Sequence, residues 1–294
     1  MIRICQPEPF RDLERLQIEW DVLFNCGSFF GAVLEDFENE GSDGVVGMMA
    51  ATYITEDFFA SMLSATEPFL MRRLVHEALH GENPFLTQAD IGIRNRKSGM
   101  VMLCTYFGWP EEGYQHLTSE NIRSLLVNGF ANRFCGNRLL LLAGETAGSQ
   151  VLEVTKRFGL QVLNDYPNWQ PDETLKKLDL LPCVVGLSKE GAEGTENYWL
   201  HRMFTYFPPR FYFSEGQRLV VMRARLGMTD SEIATDLGIR SDAVKKRWSS
   251  IYARVEAVMP GLLPKSAAKT RGSEKRRALV AYIADRPEEL RPYG

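Results

Sequence analysis

Between residues 213 and 255 the chain is punctuated three times in a fixed order, and that order leaves few folds open. Ser214, Thr229 and Ser241 each precede a run with helical periodicity, where a hydroxyl accepts from the free N–H groups of a first turn. Gly227 and Gly238 follow the first two runs, where a left-handed residue ends a helix. The first run is expected to bury Leu219, Val220 and Met222. The second carries Asp230 and Glu232 in its first turn, where carboxylates suit a helix N-terminus, with Ile233, Ala234 and Leu237 inward. A gap of a few residues around Gly238 then predicts a helix-turn-helix.

In the third run Val244, Trp248, Ile251 and Val255 stand at i, i+4, i+7 and i+11, and so share one apolar face. The opposite face carries Asp242, Lys245, Lys246 and Ser249, with Arg247 and Arg254 on its flank. Cations on such a stripe neutralise phosphates and release counterions, while short polar groups near the helix start reach base edges. The candidate interface is therefore Arg240, Ser241, Asp242, Lys245, Lys246, Arg247 and Ser249. Lys245 and Arg247 would anchor phosphates, and Trp248 and Ile251 would hold the helix on its scaffold.

Glu232-Ile233-Ala234, Leu237-Gly238-Ile239 and Val244-Lys245 resemble the LuxR/GerE-type helix-turn-helix domain. Arg240, Ala243 and Arg247 stand where that family usually has Ser, Thr and His, and region 4 of sigma factors shares much of the pattern. The resemblance implies a bacterial-type transcription regulator that binds double-stranded DNA as a homodimer. It further implies an N-terminal domain answering to a small-molecule or protein effector, with RNA polymerase as a further partner.

The charge distribution agrees. From Pro209 to Gly294 there are 17 Lys and Arg against 10 Asp and Glu, a balance of +7; residues 1–208 hold 17 against 28, a balance of −11. Nucleic acid is thus expected at the C-terminal end. Cys5, Cys26, Cys104, Cys135 and Cys183 form no Cys-x-x-Cys pair and read as reduced thiols of a cytoplasmic protein. No apolar run reaches bilayer length and no signal-peptide pattern opens the chain, so no membrane partner is expected.

Ahead of the helix-turn-helix, helices and strands alternate, and the fold class expected is α+β: a mixed-sheet α/β sandwich followed by a small all-α domain. Domains are expected at 1–206, 207–264 and 265–294, the last a basic linker to Ser273 and a helix from Glu274 to Leu290. That helix would either dock on the DNA-binding domain or pair with its copy, with Lys275, Arg276 and Arg277 facing phosphates or solvent. Residues 98–188 resemble, in element order, the later half of an acetyltransferase-like fold, and the acyl-homoserine-lactone sensor domain is a similar sandwich. The glycine-rich pyrophosphate loop of the acetyltransferases has no counterpart in the 107–120 stretch, where Gly108 and Gly113 are wrongly spaced, and no cofactor is expected.

One enzyme motif competes. His76-Glu77-Ala78-Leu79-His80 fits His-Glu-x-x-His on a helix, which would make a zinc site with Glu77 as general base and a third ligand from Glu111, Glu112 or His116. The bland alternative is an amphipathic helix with Leu70, Leu74 and Ala78 inward and Arg72, Arg73, His76, Glu77 and His80 outward. Gly41, Gly44 and Gly47 read as a hairpin turn. The aromatic residues Trp20, Phe29, Phe30, Tyr53, Phe58, Phe59, Tyr106 and Trp109 read as core rather than as a ligand pocket.

Overall fold

The computed structural model describes residues 2–5, 13–36, 44–110, 112–114, 117–194, 198–264 and 271–294. The chain divides into two compact units, 1–205 and 206–293. The first is α+β, a mixed sheet covered by helices. Its elements are β1 (Ile2–Cys5), α1 (Leu13–Asn25), β2 (Phe30–Glu35), β3 (Val45–Ile54), α2 (Glu56–Leu63), α3 (Leu70–Leu79), α4 (Gln88–Arg96) and β4 (Met100–Trp109). There follow α5 (Ser119–Phe134), β5 (Leu139–Ala147), α6 (Ser149–Arg157), β6 (Gln161–Asn164), α7 (Glu173–Lys177), β7 (Pro182–Ser188), α8 (Lys189–Glu193) and α9 (Tyr198–Phe204).

The strands run in the order β2-β3-β4-β5-β7-β6, with β1 paired to β4 off that path. β4 and β5 are parallel and joined through α5; every other pairing is antiparallel. β4 is buried on both faces, which is why its sequence is almost continuously apolar rather than alternating. Met100 and Met102 pack with Leu126 and Phe130 of α5, whereas Val101 and Leu103 pack with Phe58, Met62, Leu70 and Leu74 of α2 and α3. Period-two alternation thus feeds two cores, one on each side of the sheet.

A bulge interrupts β4. Ala50 pairs with Tyr106 and Ala51 with Cys104, so Thr105 is the extra residue. At the same point β4 parts from β5: the pairing ends at Cys104 with Gly144, and β4 beyond it takes β1 instead. The β2–β3 hairpin forms, with Gly47 in β3 packed so closely on Leu126 Cδ1 that an added Cβ would sit 2.7 Å from it; Gly41 lies outside the described residues. The eight aromatic residues named above are distributed through the cores and the rim around α1 rather than around one cavity.

The second unit is all-α: α10 (Glu215–Arg225), α11 (Asp230–Asp236), α12 (Ser241–Val258), α13 (Arg271–Ala284) and a 3₁₀ turn at Pro287–Leu290. Ser214 and Thr229 cap as expected, each in a reciprocal capping box with Gln217 and Glu232, worth about 1 kcal/mol per cap. Gly227 (φ +83°) and Gly238 (φ +60°) end the first two helices. Two expectations need correction. Ser241 does not cap α12; it is the first helical residue, and the extended Arg240 precedes it without a side-chain cap. The left-handed Gly238 turns the chain so early that Arg240's carbonyl already accepts from Ala243 and Val244. The inward face of α10 is also turned: Val220, Val221 and Ala224 are buried, while Leu219 and Met222 are half-buried.

The C-terminal segment docks. Leu279 and Ile283 of α13 are fully buried in one core with Phe211, Val220, Ile233, Trp248 and Ile251. Residues 271–273, expected as linker, are helical, and the helix expected to Leu290 ends at Ala284, with Pro287 opening a separate 3₁₀ turn; residues 265–270 lie outside the described residues. Glu289 closes the unit, its buried carboxylate accepting from the N–H groups of Arg210 and Phe211 at 3.0 Å each. Among the described residues no helix is long and apolar enough to cross a membrane.

Candidate nucleic-acid interface

α12 owes its orientation to its inner face. Val244, Ile251 and Val255 are fully buried and Trp248 nearly so. The Trp248 indole N–H donates to Asp230 Oδ1 at 3.1 Å, which fixes α12 against the first residue of α11. Arg276 of α13 donates to the same oxygen at 2.9 Å and to the Met228 carbonyl, and its guanidinium lies 5.2 Å above the Trp248 ring. The Trp248 and Tyr252 rings stack with centroids 5.4 Å apart, and burial pushes the Tyr252 phenol up to about 12. One carboxylate, one indole and one guanidinium therefore join three helices.

The turn before α12 is Leu237-Gly238-Ile239-Arg240. Ile239 N–H returns to the Ala234 carbonyl at 2.9 Å, closing the end of α11. Glu232 is held below the usual carboxylate range by the Thr229 N–H and hydroxyl at the same helix start.

Arg240, Ser241, Asp242, Lys245, Lys246 and Ser249 are all exposed and follow one another along the outer side of α12. Lys245 Nζ is 4.0 Å from Asp242 Oδ1, with both side chains more than two-thirds exposed, so this pair restrains neither group strongly. Ser249 Oγ donates to the Lys245 carbonyl at 3.1 Å. Two flank cations do not join that face. Arg247 is half-buried against the start of α10, where a Cβ added at Gly216 would lie 3.1 Å from its Cζ. Arg254 donates to the carbonyls of Phe211 and Tyr212 at 3.2 and 2.9 Å.

Sequence reasoning missed this inner network. Of its three members the sequence points to Trp248 as a positioning residue, but to Asp230 as a partner of the helix dipole and to Arg276 as facing phosphate or solvent. The signal available was a Trp on the inward face of an otherwise aliphatic stripe, since a buried indole N–H needs an acceptor.

Among the described residues the His-Glu-x-x-His stretch does not assemble a metal site. α3 ends at Leu79 and His80 is its C-cap. The two imidazoles stack face to face with centroids 4.0 Å apart, and His80 Nδ1 is bonded to the His76 carbonyl at 2.8 Å, so that nitrogen is already engaged. Glu77 accepts from Arg73 Nε at 3.0 Å. Of the third-ligand candidates, Glu111 and His116 lie outside the described residues, and among those described, Glu112 included, no three His, Cys, Asp or Glu side chains could hold a metal ion. No protein family, curated protein or solved structure significantly matches this chain.

Proposed function

We propose that this chain is a sequence-specific DNA-binding transcription regulator of the LuxR-like kind, acting in the cytoplasm as a homodimer. Its α/β unit senses an effector or mediates dimerisation, and the helix-turn-helix that follows places α12 in the major groove. The observation that carries this reading is the division of α12 into two faces: one wholly buried and locked by Asp230, the other an exposed row of Ser241, Asp242, Lys245, Lys246 and Ser249. An 18-residue helix with one face so anchored and the other so polar suits insertion into a groove. The +7 balance of residues 209–294 supports the same assignment. Contact with RNA polymerase would follow once two such helices occupy adjacent half-sites.

The test is selection from a random pool of duplex DNA by the purified full chain, with fluorescence anisotropy across a salt series. Enrichment of a palindromic site is expected. Lys245→Ala should weaken binding to all sequences and reduce the salt slope by about 0.9, whereas Asp242→Ala should change the preferred sequence. Salt-sensitive binding with no enriched sequence would sink the assignment of specific readout.

A further inference from the structure

Between α3 and the loop after β6 the first unit contains an open groove of about 830 Å³, a volume suited to one small molecule. Phe69 and Trp169 form its aromatic wall, their rings edge to face with centroids 6.0 Å apart. Both hang from one buried group. Glu145, near the end of β5 and 6% exposed, accepts from the N–H groups of Phe69 and Leu70 at 2.9 Å each. The Tyr166 hydroxyl donates to its Oε1 at 2.5 Å, and Trp169 N–H donates to the Tyr166 carbonyl at 3.0 Å. Asn164, at the head of that loop, ties it to the end of α2 through the Met62 and Ala65 carbonyls.

Phe69 and Tyr166 are both left-handed, at φ +76° and +53°, a conformation that strains a non-glycine residue. Two such residues bonded to the same carboxylate, one starting each wall, mean that the groove is shaped before anything enters it. Preorganisation of that kind is what a binding site requires and what a solvated surface does not.

The groove's charge comes from side chains, because the first N–H groups of α3 are already taken by Glu145. Arg72, His76 and His80 are exposed along α3, and Arg72's guanidinium lies 5.3 Å above the Phe69 ring. Arg73, also in the lining, is paired with Glu77, and among the described lining residues Glu67 is the acidic one. The lining also presents exposed aliphatic groups, Ile18 at 49% and Leu79 at 58% exposed. Exposed aliphatic groups beside an aromatic pair, an arginine and a row of imidazole donors fit a ligand with a flat apolar body and a negative end.

We propose that this groove binds one aromatic organic anion, its ring against the Phe69–Trp169 pair and its charge beside Arg72 and His76. The proposal rests on the reading of the first unit as the effector-sensing part, and it names the class of effector. The test titrates the full chain with 1-anilinonaphthalene-8-sulfonate and with its uncharged analogue N-phenyl-1-naphthylamine. The expected result is one saturable site for the sulfonate, at least about tenfold tighter than for the neutral compound. Arg72→Gln, a substitution of an exposed side chain, should remove that preference while leaving the neutral compound's affinity and the thermal midpoint unchanged; Trp169→Leu should weaken both ligands. Equal affinity for the two probes, absence of a saturable site, or indifference of sulfonate binding to Arg72→Gln overturns the proposal. DNA binding is measured separately with and without saturating sulfonate. Sulfonate binding in a protein that ignores DNA would leave the groove assignment standing and remove the regulator reading, and DNA binding with no sulfonate site would do the reverse.

Discussion

Replacing Arg276 with Ala removes three interactions at one point. The ion pair to Asp230, with side chains 23% and 38% exposed, contributes about 0.5–1 kcal/mol once solvent screening is allowed for. The cation over Trp248 adds about 0.5–1 kcal/mol, and the bond to the Met228 carbonyl about 1 kcal/mol. The sum is about 2–3 kcal/mol, a large share of the stability of a small helical unit. Hydrogen exchange followed on peptides from α10 to α13 reads this directly: the slowest amides should exchange about thirtyfold faster or more, while the β-sheet amides of the first unit keep their rates. Arg276→Lys keeps the charge without the planar fork and should recover only part of the loss. At a temperature where the variant stays folded, its DNA salt slope should equal that of the parent. An exchange change under about threefold, with a slope lower by about 0.9, would show that Arg276 serves phosphate instead, and the argument for its structural role would be refuted.

Burial raises the Glu289 carboxyl above its ordinary value of 4.5, against the pull of the Phe211 and Arg210 amides. A folded state that holds this proton more tightly than the unfolded chain loses stability as pH rises through the window from 4.5 to the raised value. The urea midpoint of wild type minus that of Glu289→Gln should therefore fall across that window; a rise would contradict the burial argument. Gly148, at φ +92°, starts α6 with the Asp179 carbonyl oxygen 2.6 Å from where a Cβ would stand. Gly148→Ala should cost the first unit at least about 2 kcal/mol in urea unfolding, and a loss under about 0.5 kcal/mol would mean that the 179 loop yields. Arg254→Ala should lower the thermal midpoint of the second unit and leave the DNA salt slope intact, and an unchanged midpoint with a reduced slope would overturn its assignment to the scaffold.

What was legible in the sequence was local. α5 could be read as Ser119–Phe134 because a Thr cap and a long apolar repeat delimit it, and the Ser214 and Thr229 caps are complete within four residues. Gly92 and few apolar residues blur the period of α4, whose signal in the sequence is the Thr87–Asp90 capping box. α7 and α8 are each five residues, too short for periodicity to register, though Asp172 and Ser188 cap them. Gly144-Glu145-Thr146 does not read as buried strand, yet β5 runs through it to Ala147. Glu145 is tolerated there only because Phe69 and Leu70, some 75 residues earlier, and Tyr166 supply its donors. Such pairings depend on strand order, which no local pattern encodes.

The same limit explains why the cationic count of the second unit exceeds the number of cations left to meet a phosphate backbone. A sequence shows that Arg223, Arg254 and Arg276 lie on helices, not that Asp236, the Phe211 and Tyr212 carbonyls, and Asp230 await them. A guanidinium has five donors in a fixed plane and suits such geometric joints, whereas an ammonium on a flexible stem follows a phosphate without demanding one orientation. The division on α12 obeys that chemistry: its half-buried Arg247 and bonded Arg254 face the scaffold, and Lys245 and Lys246 face outward. Charges held inside the unit still contribute to the long-range field that steers an anion toward it. They release no counterions, so in a DNA complex the rate of encounter and the salt slope of affinity would report different sets of residues.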